Sequence, residues 1–339
     1  MNTVVNDAYL IMFFLTDTAG AGHGGRGGMG TISSYPGQAY GSVTSPQSYG
    51  SGSAATSGGG IIRLEANHSL TIDGLVTAEG QKSSSNKSGG GSGGSVWLSS
   101  QILTGNGIVS SSGGSGYSTG SGGGGRIAVD FRNSSFAGKL QAFGGRSKKY
   151  SSGGAGTIVL YNYQEKTKAL LIDNNNIGTP TTDDIQETSV DGGRTWLTPE
   201  INTSVITFDV LNIRGKAQLA VQTTPAGSPL RWEIKGIQGD RSGILHVRAN
   251  QKLKMTTSTS DGNQPGLMWG VNVYERGDLT MPENLVIDGI KVIESGSLSG
   301  ANNVTVGNGG KFILRLVEFV KSLLLMKQFL LLVPLITES

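Results

Sequence analysis

The sequence predicts an all-β protein, a glycine-rich parallel β-solenoid. Three observations predict it. Glycine occupies 55 of 339 positions, more than twice its usual share of about 7%. A phrase of the form Gly-x-(Ile/Val)-x-(Leu/Val) begins at Gly60, Gly94, Gly125 and Gly156, in steps of 34, 31 and 31 residues. A second phrase, beginning at Gly74, Gly107 and Gly138, follows the first three after 14, 13 and 13 residues.

Each phrase alternates apolar with polar or small residues, the pattern of a strand buried on one face. Glycine bounds each phrase, where a corner needs φ > 0 or close backbone approach. One unit cannot bury its apolar face alone, whereas stacked units bury theirs against one another.

Residues 1–54 read as a glycine-rich approach segment. Its apolar run Ala8–Leu15 is barely long enough for a signal-peptide core, lacks a basic flank and lies between Asp7 and Asp17, so a start inside a longer protein is the better reading. Residues 55–161 read as wide rungs. Their Gly/Ser tracts, such as Ser83 to Ser92 and Ser112 to Gly124, read as flexible loops projecting from one edge. Residues 162–204, with Pro180, Pro199 and several Asp and Asn, interrupt the pattern as a junction. Residues 205–315 read as tighter rungs, in which Val271-x-Val273, Ile290-x-Val292 and Val304-x-Val306 are followed by Gly277, Gly296 and Gly310. Residues 316–339 form an apolar or amphipathic tail. It reads as a cap on the stack, a helix on a membrane surface or a terminus foreign to the parent protein.

The phrases from Gly58 to Gly80 and from Gly93 to Phe131 resemble glycine-rich repeats of large, mostly uncharacterised surface proteins. What the resemblance implies is a right-handed parallel β-helix, akin to the pectate-lyase and autotransporter-passenger superfold, inside a longer extracellular chain. It covers roughly residues 20 to 315 and brings no functional residues with it.

Composition excludes several classes. With 27 basic and 24 acidic residues, the charge of +3 is too small to imply nucleic acid or an anionic membrane as partner. The absence of cysteine removes disulfides, zinc fingers, iron–sulfur sites and thiol catalysis.

Candidate chemistry is sparse. Ser189-Val-Asp191-Gly-Gly193-Arg-Thr195-Trp196 matches the Asp-box turn of sialidase-like propellers, in a single copy that reads as a structural hairpin. Asp183-Asp184, and Asp173 before Asn174 to Asn176, read as solvated loops rather than an acid/base pair or a calcium site. His23, His68 and His246 lack metal-ligand spacing and read as solvated. Gly24 to Gly28 resembles a single RGG unit around Arg26, too little for RNA binding. Sequons at Asn67, Asn86, Asn133, Asn202 and Asn303 permit a secretory route. Arg63, Arg126, Lys139 and Asp130 read as exposed charges not repeated in register.

The sequence therefore carries no catalytic, cofactor or metal residues. It points to a non-enzymatic structural or adhesive module of a larger extracellular or cell-surface protein. Glycans or surface proteins would bind through the loops, no nucleic acid is implied, and only the tail would touch a membrane. The alternatives are a carbohydrate-processing lyase or glycosidase-like β-helix, which rests on fold analogy, and a disordered RGG-like RNA-binding chain.

Overall fold

The computed structural model describes residues 18–30, 35–178, 193–197, 205–221, 230–247, 251–255, 266–275, 278–280, 284–289, 291–294, 297–300 and 302–314. Among them the protein is all-β, with no helix, and a curled mixed sheet forms a half-barrel.

The wide repeats give β1 (Ile61–Thr71), β2 (Leu75–Thr77), β3 (Ser95–Thr104), β4 (Ile108–Ser110), β5 (Arg126–Ser134), β6 (Lys139–Gln141) and β7 (Thr157–Asn162). The first phrases pair in parallel as β1–β3–β5–β7, and the second as β2–β4–β6. Like residues stack in register: Ile62, Val96, Ile127 and Ile158 in one row, Leu64, Leu98, Val129 and Leu160 in the next. Val96, Leu98, Ile127, Val129 and Ile158 are buried in one core with Leu103 and Val109. Alternation is what produces this, since every second side chain of a strand faces the same way.

β8 (Thr167–Asp173) folds back on β7 as an antiparallel hairpin; every other strand pairing among the described residues is parallel. The hairpin separates two cores. Ile158 belongs to the first and Leu171 packs on it, while their neighbours Val159 and Leu170 belong to the second.

Beyond β8 come β9 (Thr195–Leu197), β10 (Val205–Arg214), β11 (Gln218–Val221), β12 (Leu230–Val247), β13 (Gln251–Met255), β14 (Gly266–Glu275), β15 (Asp278–Thr280), β16 (Asn284–Asp288), β17 (Lys291–Glu294), β18 (Ser297–Ser299), β19 (Asn303–Val306) and β20 (Lys311–Leu314). Leu211, Ile213, Leu219, Trp232, Ile234, Leu245, Val271, Val273 and Ile287 fill the second core. The tight phrases form strands, with one shift of frame. In register, Val273 pairs with Val292 and Leu279 with Leu298, but Val304 pairs with Leu285, and Phe312 pairs with Val292.

The Gly/Ser tracts correct the expectation of flexible projecting loops. Each tract is an outgoing and a returning arm joined by a short tip. The returning arms, Ser88 to Gly94, Thr119 to Gly125 and Ser152 to Gly156, are buried. Their N–H groups bond to other arms: Gly90 to Gly120 O, Gly93 to Gly123 O and Gly124 to Gly154 O from repeat to repeat, and Gly122 to Gly114 O within one tract.

Segment 18–30, part of the approach segment expected to precede the repeats, runs through this lattice as a thread. Ala21 N–H bonds Gly90 O, those of Gly24 and Gly25 share Gly124 O, and Gly28 N–H bonds Ser121 O.

Glycine serves spacing here, not turning. No tract residue has positive φ. A Cβ on Gly122 would lie 1.9 Å from Gly91 O, and one on Gly27 1.8 Å from Gly20 O. Contacts this close leave no room for a side chain at those glycine positions, which is why the tracts look disordered in composition and are packed in fact.

Candidate functional site at the loop tips

Because the arms stack, the tips are carried side by side. A serine hydroxyl closes each tip across five residues. Ser83 Oγ donates to Ser88 O at 2.6 Å, Gly116 N–H donates to Ser121 Oγ at 2.9 Å, and Ser147 N–H donates to Ser152 Oγ at 3.2 Å. Thr119 Oγ1 donates to Ser88 O and Ser147 Oγ to Thr119 O, each at 2.9 Å, so the tips are bonded to one another in sequence.

What the tips expose is cationic and aromatic. Lys82, Lys87, Arg146, Lys148 and Lys149 are all exposed, as is Tyr117 at 62%. No Asp or Glu occurs in Gln81–Ser88, Ser112–Thr119 or Gly144–Ser151. Lys149 Nζ lies 5.3 Å from the ring centre of Tyr150, beside a hollow of about 430 Å³ lined also by Met29, Ser151 and Ser152. Five like charges on one rigid end can hold a polyanion by many weak contacts. The near-neutral total charge hides this local excess.

A second hollow, of about 310 Å³, lies on the sheet between Thr44, Ser45, Trp97, Asp130, Tyr161 and Lys168. Trp97 Nε1 donates to Asp130 Oδ2 at 2.8 Å, and the Arg63 guanidinium covers the Trp97 ring at 4.3 Å. Burial raises the Asp130 carboxyl above its usual value, against the Trp97 hydrogen bond and the Lys168 charge. Asp130, Tyr161 and Lys168 stand in one row by register; Asp209 accepts from Lys168 N–H and pairs with Lys235. Signs alternate along the row, as on a solvated sheet face. Asp209 is three strands from Asp130, on the order of 14 Å, whereas paired glycosidase carboxyls sit about 5–10 Å apart.

The remaining candidates separate. Arg126 is not exposed: its side chain is fully buried, with Nε donating to Tyr40 O at 2.9 Å and an Nη donating to Thr157 Oγ1 at 3.1 Å. Burial lowers its pKa to about 10, against the influence of Tyr40. His23 is not solvated either. Its Nδ1 lies 2.8 Å from Gly93 O and its ring 4.7 Å from that of Tyr40; burial, and then the Arg126 charge, lower its pKa to about 4. Segment 40–51 covers both, a contact no local pattern announces. Burial likewise raises the Tyr40 phenol.

His246 is buried as well, its Nε2 at 3.2 Å from Gln218 Oε1, while His68 is exposed as expected. Arg63 and Lys139 are exposed and Asp130 is half-buried. Arg26 of the RGG-like unit is buried over the Trp196 ring at 4.3 Å. Trp196 and Thr195 end the Asp-box pattern in β9, fully buried; residues 189–192 lie outside the described residues, as do Asp183, Asp184, Asn202, the run 8–15 and the tail 316–339.

Asn174 is structural. Its Oδ1 accepts from Gly144 N–H at 2.8 Å and its Nδ2 donates to Gly153 O and Ile177 O, while Asp173 accepts from Arg214 at 2.8 Å. Asn67, Asn86, Asn133 and Asn303 are exposed. No group of acidic or histidine side chains with metal-holding geometry occurs among the described residues. None of them forms a helix long and apolar enough to cross a membrane.

Comparison with protein-family models, curated proteins and solved structures finds no match.

Proposed function

We propose that this chain is a non-enzymatic adhesive module of an extracellular or cell-surface protein, built as a right-handed parallel β-solenoid whose glycine lattice presents the loop tips to an acidic glycan. The observation that carries the reading is the array of five exposed cations, with no acid among them, on tips bonded to one another in sequence. The solenoid part of the reading is supported by parallel pairing at the repeat interval, with like residues in register. Rigidity favours binding, since tips already ordered lose little freedom on contact. Repeated weak contacts then add through high effective concentration.

The test is retention of the full chain on an immobilised sulfated or uronic-acid polysaccharide under a salt gradient. We expect retention that falls steeply with salt, and that Arg146→Ala, Lys148→Ala and Lys149→Ala combined lower the eluting salt by half or more with an unchanged melting temperature. Equal retention of that variant, or equal binding to duplex DNA, would overturn the glycan reading.

A further inference from the structure

The first repeat keeps two glycines whose side-chain positions are open among the described residues. In later repeats, the glycine that opens each phrase lies against the backbone of the repeat before it. A Cβ on Gly94 would meet Gly60 O at 1.9 Å, on Gly125 Gly94 O at 2.1 Å, and on Gly156 Gly125 O at 1.9 Å. In the second phrase, a Cβ on Gly107 would meet Gly74 O at 2.2 Å, and on Gly138 Gly107 O at 2.1 Å. A Cβ on Gly60 or Gly74 would meet no atom of the described residues within 4 Å, and neither glycine has positive φ.

The hydrogen bonds repeat the pattern. The N–H groups of Ser95, Arg126 and Thr157 donate to Gly60, Gly94 and Gly125 of the preceding repeat; those of Ile108 and Lys139 donate to Gly74 and Gly107. The corresponding donors in the first repeat are Ile61 and Leu75, and no strand lies before them among the described residues. β1 pairs only with β3, and β2 only with β4.

The core is open at the same place. Ile62, Leu64, Leu70 and Val76 are only partly buried, while their register partners Val96, Leu98, Leu103 and Val109 are at most 3% exposed. Residues 50–59 do cover the glycine arms of this repeat: Gly50 N–H bonds Gly59 O, and Ser92 N–H bonds Ser51 O. The cover stops short of the strands. An eleven-residue edge without proline is a template for another strand.

We propose that the β1–β2 edge docks an extended strand of the same Gly-x-(Ile/Val)-x-(Leu/Val) type, supplied in parallel by another polypeptide. The molecule holds three examples of the fit, β3 on β1, β5 on β3 and β7 on β5. Glycine lets the two backbones close, the Ile61 and Leu75 N–H groups find acceptors, and the incoming aliphatic residues complete the exposed core row. This is strand addition to a sheet edge, with main-chain bonds giving affinity and alternate side chains giving specificity. It does not depend on the glycan reading, because it uses the opposite side of the repeat chemistry, strands rather than tips.

The experiment uses the full chain and a fluorescein-labelled peptide with the sequence of residues 124–136, read by fluorescence anisotropy. Saturable binding in the micromolar range is expected, with none for a scrambled peptide. Gly60→Val with Gly74→Val fills open space, so the melting temperature should hold while affinity drops tenfold or more. Leu75→Pro, at the first residue of a strand, removes one edge donor and should weaken binding comparably. Absence of saturable binding, equal binding of the scrambled peptide, or unchanged affinity in both variants would overturn the proposal.

Discussion

At the scale of single residues, His23 sets a pH dependence. Its imidazole is held neutral in the folded lattice, with a pKa of about 4 against a usual 6.5. Between those values the unfolded chain binds a proton that the folded chain does not, so stability rises with pH across that window and is lost as pH falls through it. The slope reaches about 1.4 kcal/mol per pH unit. Urea midpoints should therefore fall below pH 6.5, and His23→Asn should show a shallower fall between pH 6.5 and 4.5; identical slopes would exclude the residue. Residues of this kind were not legible in the sequence. Alternation correctly put Ile127 and Val129 inside and Arg126 on the other face. What buries Arg126 is Tyr40, 86 positions away, through a backbone carbonyl that leaves no mark in the pattern.

At the scale of elements, strands were legible and the tracts between them were not. Strand phrases carry their own periodicity, so the positions of β1 to β7 followed from spacing alone. A glycine tract carries none, and the same composition describes a free linker or a packed arm. Backbone contact tells them apart, and it implies a measurable penalty. Gly122→Ala puts a methyl 1.9 Å from a carbonyl oxygen and should cost about 2 kcal/mol or more. Gly60→Ala, in open space, should leave calorimetric stability unchanged. A flexible tract would tolerate both alike. The frame shift at β19 and β20 has a related cause: Val304 and Phe312 are read as one unit by spacing, but each stacks on whichever strand precedes it in space.

At the scale of the whole molecule, the sequence foresaw stacking but not the reversal between β7 and β8. Both hairpin strands are apolar on two faces, and no single-face pattern distinguishes one shared wall from two separate ones. The assembled lattice makes a prediction for proteolysis. Trypsin should cut at Lys82, Lys87, Arg146, Lys148 and Lys149 on the tips, and spare the buried Arg26, Arg126 and Arg194. The nicked pieces should stay together under native conditions, because the arms on both sides of each cut remain bonded to neighbours. Early cleavage at Arg126 would contradict the lattice.

The thread at residues 18–30 has a further consequence, in the order of events during synthesis. It leaves the ribosome before every arm it bonds to, and its partners Gly90, Gly124 and Arg194 follow by as many as 168 residues. At translation rates of about 5–20 residues per second, the thread waits on the order of ten seconds or longer for the last of them. Its short-range bonds, Gly20 N–H to Gly28 O, Gly27 N–H to Gly37 O and Gly37 N–H to Gly20 O, can form early, whereas those to residues 90–194 cannot. The growing chain must therefore close its lattice around the oldest segment rather than build outward from it, and an aggregation-prone interval before closure comes with this topology.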